Sequence, residues 1–262
     1  MAKQLEILDE LAATGKETFE ARDVQQLAGL SPQSATNLLS RLVARGLVDR
    51  VARGRYALRP FGALGTRAAS EDVALAVAAA FGRRPHRIAY RSALDFHGLI
   101  DHPSREIIVA LDRPTSAKRV SGRSLRAVLE SAGRIALGAV PAGHGALVSS
   151  VERALLESAA RPELAGGASA FASALAAAHP DPDELLRLSR ALGTRAGLQR
   201  IGSVAGALGL DELSSRLEPS AFRLAWTPLD PEADEDRADW RDETWRVVWP
   251  YSVDELEQSV RR

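Results

Sequence analysis

The chain has 262 residues, of which 45% are hydrophobic and 26% are charged, so it suits one large globular domain or two ordinary ones. It contains no cysteine, which excludes disulfides, thiol nucleophiles and cysteine metal sites and favours a reducing, cytoplasmic setting. The formal net charge is zero, and we expect neither a signal peptide nor a membrane span, because no run approaches the roughly 18 apolar residues that a span needs.

The zero net charge hides an uneven distribution. Between residues 31 and 59 six arginines stand against Asp49 alone, a local charge of +5. Between residues 230 and 243 eight acids stand against two arginines, a local charge of −6. Because local charge sets a binding surface, the basic stretch is a candidate for nucleic acid.

Three helices and a hairpin are predicted in the first sixty residues. Apolar residues at helical spacing indicate a first helix over 3–13, and ARDVQQLAGL predicts a second. Ser31 suits an N-cap with Pro32 at the first helical position, so a third helix begins there and ends before Gly46. Two short strands, LVDRV and RYALR, flank an Ala-Arg-Gly turn. This order predicts a winged helix-turn-helix over residues 1–60.

A larger mixed α/β domain, rich in helices, is predicted over residues 70–262, after a linker at 61–69, which makes the whole chain α+β. Its N-terminal part should contain a helix over 70–81 and a short helix in RSALDFHGL. Residues 151–210 should be almost wholly helical, with breaks at 166–167, 180–182 and Gly193. The predicted strands are EIIVALD at 106–112, SLRAVLES at 124–131, RIALGAV at 134–140 and ALVSS at 146–150. AFRLAW and TWRVVW are two further strand candidates near the end.

The third helix has one apolar face and one polar face. Asn and Gln side chains pair with adenine in the major groove and Arg with guanine, while hydroxyls and the helix N-terminus suit phosphate. The Arg-Gly-Arg turn presents two guanidinium groups to the flanking backbone or the minor groove. The alternative is that the polar face of the third helix is simply solvated and that the Arg-Gly-Arg turn only connects two strands. The predicted DNA-binding residues are Ser31, Gln33, Ser34, Thr36, Asn37, Ser40, Arg41, Arg53 and Arg55.

Several motifs resemble AbiEi-type antitoxins, the antitoxin partners in type IV toxin–antitoxin and abortive-infection systems. Ser92-Ala93-Leu94 and His97-Gly98-Leu99 precede a hydrophobic strand, as they do in that family. Residues 152–156 (ERALL) are followed by the glycine pair 166–167, and LQRIGSVAGALGL spans 198–210. The N-terminal region ending in GRYAL also fits. The resemblance spans roughly residues 1–210, and the last fifty residues lie outside it.

The resemblance implies a bacterial repressor with two parts. The winged helix would bind double-stranded DNA at inverted repeats in its own promoter. The C-terminal domain would counter a nucleotidyltransferase-like toxin, without necessarily forming a stable complex with it. No catalytic residue, metal or cofactor is implied.

Basic residues in the second region form a possible second basic surface, either a solvated loop or a contact with DNA or another acidic partner. They are Arg83, Arg84, Arg87, Arg91, Lys118, Arg119 and Arg123. The alternative function is an interaction protein or a cryptic nuclease whose winged helix is only a docking module. A nuclease needs converging acids, but Glu106 and Asp112 would lie about 20 Å apart on one strand.

Overall fold

The structure is a computed structural model that describes the chain except for residues 1, 17, 53, 60–72, 101–103, 105, 121, 219–223, 234–237 and 261–262. The described chain combines helices and sheets, which confirms the predicted fold class. Within the described part of the chain, no helix has both the length and the apolar character that a membrane crossing requires. The proposed linker at 61–69 lies outside the described residues.

The N-terminal region folds as a winged helix. A short strand that the sequence pattern does not predict pairs with the hairpin, so the order in this sheet is β1-β3-β2. The predicted order of three helices and a hairpin is confirmed. The elements are α1 (Ala2–Ala13), β1 (Phe19–Glu20), α2 (Ala21–Ala28), α3 (Pro32–Ala44), β2 (Val48–Ala52) and β3 (Arg55–Leu58).

Local sequence signals set the ends of these helices. The Ser31 hydroxyl accepts a hydrogen bond from the Ser34 backbone N–H at 3.2 Å, and Pro32 opens α3 as predicted. Gly29 and Gly46 follow α2 and α3 with φ angles of 61° and 65°, a left-handed conformation that suits glycine. The turn between α2 and α3 is therefore encoded locally.

A six-stranded sheet lies at the centre of the second region. Its strand order is β6-β7-β5-β4-β9-β8, with β5 parallel to β7 and antiparallel to β4. Ile107, Val109 and Leu111 of β5 enter the large core, whereas Ile108 and Ala110 face a smaller cluster on the other side. The strands are β4 (His86–Ile88), β5 (Glu106–Leu111), β6 (Arg119–Val120), β7 (Arg123–Leu129), β8 (Ala139–Gly143) and β9 (Ala146–Ser149).

Helices pack around this sheet, and the predicted helical stretch over residues 151–210 is confirmed. Its predicted breaks at 166–167, 180–182 and Gly193 coincide with the observed helix boundaries. A 3-10 turn at Pro162–Leu164 lies within it. The helices are α4 (Val73–Phe81), α5 (Arg91–Phe96), α6 (Ala132–Ala136), α7 (Val151–Ala160), α8 (Ala168–Ala177), α9 (Pro182–Leu192), α10 (Arg195–Ala207) and α11 (Asp211–Leu217).

The last fifty residues form a small sheet and a helix that pack on this helical layer. The sheet has the order β10-β12-β11. β12 packs against α10, and the C-terminal helix packs against α8. The elements are β10 (Thr227–Pro228), β11 (Trp240–Asp242), β12 (Val247–Trp249) and α12 (Val253–Val260).

Two strand predictions were wrong in part. The segment 134–140 was predicted as a strand, but its first residues belong to α6, and Gly138, with φ 62°, separates that helix from β8. Ile135 is buried in the smaller cluster beside the sheet, so its apolar character suits a helix as well as a strand. In AFRLAW, residues 221–223 lie outside the described chain, and 224–226 precede β10 without pairing.

A buried charge cluster joins the sheet to α7. Arg87 on β4 is 0% exposed and donates to Glu130 at 3.2 Å and to Glu157 at 2.9 Å. Arg153 is 1% exposed and donates to the same two carboxylates. Glu157 also accepts hydrogen bonds from the Ser149 hydroxyl and the Tyr90 backbone N–H, both at 2.6 Å. Two guanidinium groups and two carboxylates therefore neutralise each other.

The cluster also gives a structural role to the Glu-Arg-x-Leu-Leu motif. Burial by itself lowers the pKa of Arg87, but Glu157 and Glu130 outweigh burial and raise it. Burial and the charge of Arg87 lower the pKa of Arg153. Arg153 thus ties α7 to Glu130, the residue that follows β7.

The third motif of the resemblance holds the C-terminal tail. Arg200 is 3% exposed and donates to the backbone carbonyls of Ala159 and Pro228 at 2.8 and 2.7 Å. Burial lowers the pKa of Arg200 to about 10. Gly202 lies directly under the indole of Trp245, where a Cβ atom would overlap the ring. Two of the four tail tryptophans, Trp245 and Trp249, are therefore core residues.

Candidate nucleic-acid interface

The third helix of the winged helix presents one face to the core and the opposite face to solvent. Its core face consists of Ala35, Leu38, Leu39 and Leu42, each no more than 4% exposed. The other face carries the predicted contacts, all of them exposed: Gln33, Ser34, Thr36, Asn37, Ser40 and Arg41, with Ser31 at the N-cap. The apolar face is fully used in packing, so the polar face is available for a partner.

Hydrogen bonds along α3 order the exposed side chains. Gln33 and Asn37, one turn apart, are joined by a hydrogen bond of 3.3 Å from amide N–H to amide oxygen. The hydroxyls of Thr36 and Ser40 donate to backbone carbonyls four residues earlier. Gln33, Asn37 and Arg41 therefore form a row at four-residue spacing along the exposed side of the helix.

The arginines of the basic stretch have different environments. Arg59 is 8% exposed and forms a buried ion pair with Asp49 at 2.5 Å. Because that pair cancels itself, the local charge of +5 is carried by the other five arginines. Arg55 is half-buried, and its Nε lies 3.6 Å from Glu20, so that carboxylate offsets part of its positive charge. Arg53, the other predicted contact at the turn, lies outside the described residues.

Arg50 is an exposed cation that was counted in the local charge but not among the predicted contacts. It lies on β2 between the buried residues Asp49 and Val51. The period-two alternation of a strand was the signal that could have identified it. Arg50 adds positive charge to the hairpin beside α3, and we call the exposed side chains of Gln33, Asn37, Arg41 and Arg50 the recognition surface.

The hairpin packs on the second region through its other face. Val51 and Ala57 belong to the large core together with Phe81 of α4 and Val120 of β6. The Arg55 guanidinium lies close to Gly82, at the end of α4. The orientation of the recognition surface is thus set by contacts with the second region as well as by the winged helix itself.

Only some residues of the possible second basic surface are exposed, as their environments show. The prediction that Arg87 belongs to this surface is wrong, because its guanidinium lies inside the buried cluster. Arg84 pairs with Asp112 at 2.8 Å, Arg123 lies 3.7 Å from Asp95, and Arg91 donates to the Ala165 carbonyl.

Three members of that set are exposed. They are Arg83, Lys118 and Arg119, the last of which also donates to the Gly122 carbonyl. Lys118 and Arg119 lie at β6, which packs beside β2 of the hairpin. The exposed part of the second basic set therefore adjoins the winged helix.

Side chains that could serve a nuclease or a metal site bind other groups of the protein instead. The Asp112 carboxylate accepts a hydrogen bond from Arg84 at 2.8 Å, and this contact lowers the pKa of the Asp112 carboxyl although burial opposes it. His97 ends α5, and its Nε2 lies 2.7 Å from the Ser149 carbonyl. Over the described part of the chain, no three His, Asp or Glu side chains are grouped so as to hold a metal ion.

Comparison with known proteins supports the winged helix as a regulator domain. Residues 6–59 match the family described as "Transcriptional regulator, AbiEi antitoxin". For this region the match confirms the resemblance to AbiEi-type antitoxins. Beyond residue 59 the resemblance depends on the motifs.

The fold of the whole chain is also found in a solved structure. The crystal structure of RV2827C protein from Mycobacterium tuberculosis is 19% identical in sequence, with a TM-score of 0.68. The alignment covers 100% of this chain and 96% of that one. At this identity the similarity shows a shared fold. Among curated proteins, no sequence matches the chain significantly.

Proposed function

We propose that the protein is the antitoxin of a type IV toxin–antitoxin pair and represses its own operon. The observation that carries the proposal is the free polar face of α3, with Gln33, Asn37 and Arg41 in a row, in the region that matches the AbiEi regulator family. In this arrangement α3 enters the major groove, where amide side chains pair with adenine and Arg41 with guanine.

The flanking contacts are electrostatic. Arg50 and Arg55 lie on the hairpin, which we place against the DNA backbone, and Arg53, between them in the sequence, is expected to add to this contact. Lys118 and Arg119 extend the same positive field from β6. A single winged helix binds DNA modestly, so we infer that two copies occupy the two halves of an inverted repeat.

The second region supplies the antitoxin part of the proposal, and its target is a nucleotidyltransferase-like toxin. The motifs shared with AbiEi antitoxins are used mainly in its architecture, as Arg153 and Gly202 show. A stable complex with the toxin is not required. The proposed action calls on no catalysis and takes place in the cytoplasm, where the operon is transcribed.

The test is a salt-titrated binding assay on the DNA upstream of the protein's own gene, with a scrambled duplex as competitor. We expect competitor-resistant binding and a log–log salt slope close to the number of phosphates that the arginines neutralise. Binding no tighter than to the scrambled duplex would reject the repressor and favour a docking module.

The antitoxin part has a separate test. The test first looks for a nucleotidyltransferase-like gene beside the gene of this chain. That gene is then expressed in a host with and without this chain, and with residues 1–59 alone. We expect growth rescue by the full chain and none by the winged helix. Equal rescue by both, or rescue by neither, would contradict a role for the second region.

A further inference from the structure

The small C-terminal sheet carries an exposed aromatic surface. Trp226 and Trp240 are each 37% exposed, unlike the buried Trp245 and Trp249. The guanidinium groups of Arg241 and Arg246 lie 5.6 and 5.2 Å from the ring centre of Trp226. We call Trp226, Trp240, Arg241 and Arg246 the tryptophan surface. Tryptophan and arginine dominate the binding energy of many protein interfaces.

A buried framework holds this surface in place. The ring of Trp240 makes an edge contact with Trp249 at 5.0 Å, and the Trp249 indole donates to the Ser203 hydroxyl on α10 at 2.9 Å. Trp245 packs on Gly202 of the same helix. Because two buried tryptophans already anchor the sheet, the exposed pair is free to contact a partner with little loss of conformational freedom.

Exposed acidic residues alternate in the sequence with the residues of the tryptophan surface. Glu232, Asp239 and Glu243 are exposed, and among the described residues their carboxylates make neither a hydrogen bond nor an ion pair. Among the described residues of 226–246, five acids stand against Arg241 and Arg246, a net charge of −3. A surface of this charge repels phosphate and attracts a basic protein surface.

The complementary surface is present on the same chain. The recognition surface carries exposed Arg41 and Arg50 within a stretch of local charge +5. In the structure both surfaces are exposed, so the tail does not cover its own winged helix. We propose that the tryptophan surface of one copy docks on the recognition surface of a second copy, and that this dimer and DNA compete for the same arginines.

The first experiment measures self-association without DNA, by sedimentation equilibrium of the full chain. At about 0.01 M salt, where the Debye length is about 30 Å, the mass should rise with concentration from 28.1 kDa toward twice that value. At about 1 M salt, where the Debye length is about 3 Å, the chain should be monomeric. A monomer at every concentration and salt level would overturn the proposal.

Charge-matched variants locate the contact. The tail variant is Glu232→Gln, Asp239→Asn and Glu243→Gln, and the control removes three other exposed acids, by Asp211→Asn, Glu212→Gln and Glu218→Gln. We expect the tail variant to weaken association by about tenfold or more, and the control to associate as the parent does. Trp240→Ser, with its fold checked by thermal melting, should weaken association as well. Equal effects of the two triple variants would indicate non-specific charge and reject the proposal.

Complementation tests the pairing of the two surfaces. A recognition variant, Arg41→Gln with Arg50→Gln, should fail to self-associate. Mixed with the tail variant, it should form heterodimers, because the mixture retains one intact surface of each kind. If the mixture stays monomeric while the parent dimerises, the two surfaces do not bind each other.

The competition with DNA depends on the proposed function, whereas the other measurements do not. A short scrambled duplex, added at low salt, should convert dimers into monomer–DNA complexes, and the tail variant should bind that duplex more tightly than the parent does. A dimer that persists on saturating DNA would overturn the proposal. If the chain binds no DNA, the proposed function fails, and the variants still decide the docking.

Discussion

Arginine has opposite roles in the two regions of this protein. In the winged helix, Arg41 and Arg50 are exposed and add positive charge to a surface. In the second region, Arg87, Arg153 and Arg200 are at most 3% exposed and connect elements through carboxylates and backbone carbonyls. The same residue type therefore supports binding in one region and architecture in the other, and the position of its partners decides which.

The comparison predicts where substitutions act. Changes at the buried arginines and their partners should lower the free energy of unfolding. Changes at the exposed arginines should alter affinity for DNA and leave stability intact.

The largest expected effect comes from Glu157→Gln. It leaves the buried guanidinium groups of Arg87 and Arg153 with only one carboxylate, so the free energy of unfolding should fall by about 3–5 kcal/mol. Urea denaturation followed by circular dichroism measures it. The matched control is Glu184→Gln, at a surface pair with Arg187, where we expect little change. Similar losses in both variants would contradict a special role for the cluster.

A smaller loss is expected from Gly202→Ala. The added methyl group overlaps the Trp245 ring, and such overpacking costs roughly 1–3 kcal/mol in thermal or chemical unfolding. The control, Gly206→Ala in the same helix, places its Cβ 3.4 Å from the Ser214 hydroxyl. Since alanine favours helix over glycine by about 1 kcal/mol, the control should be neutral or more stable. An unchanged melting temperature for Gly202→Ala would reject the packing of the tail on α10.

On the exposed side, Asn37→Ala should relax sequence choice, with a loss of about 1–3 kcal/mol of discrimination at one base pair.

Arg53→Ala combined with Arg55→Ala should instead weaken binding to all sequences and flatten the salt dependence. Fluorescence anisotropy on operator and scrambled duplexes separates the two effects. Neither variant should change the melting temperature. If both bind the operator as the parent does, the DNA assignment is wrong.

The smallest expected effect concerns the buried imidazole of His86. Burial lowers the pKa of His86 from 6.5, and the nearby charge of Arg84 adds to this effect, although a hydrogen bond to the Arg84 carbonyl opposes it. Its Nε2 is buried without a hydrogen-bond partner among the described residues. Because its pKa is lower in the folded chain, His86 binds a proton more readily in the unfolded chain. The contribution of neutral His86 to the free energy of unfolding is therefore present above pH 6.5 and is lost as the pH falls below it.

Unfolding of His86→Leu from about pH 8 to about pH 5 should show a shallower loss of stability than the parent shows. The exposed His179→Gln serves as control and should keep the parental slope. A slope that His86→Leu leaves unchanged would show that other groups govern the acid response.

Much of the winged helix was predictable because its signals are local. Ser31, Pro32 and the glycines after α2 and α3 mark helix ends within a few residues, and helical spacing separates the two faces of α3. Residues 132–136 were less predictable, since an apolar segment of that length suits a helix or a strand until the surrounding sheet exists.

The sequence alone determined the winged-helix order, the polar row on α3 and the opposite charges of the two stretches, because these depend on spacing and composition. Only the tertiary structure decided that Arg87 is buried, that Arg59 is neutralised by Asp49, and that Trp245 is core while Trp240 is exposed. Each of these depends on residues far apart in the chain or on the opposite strand. Charge can be counted along a sequence, but burial and pairing arise only when distant segments meet.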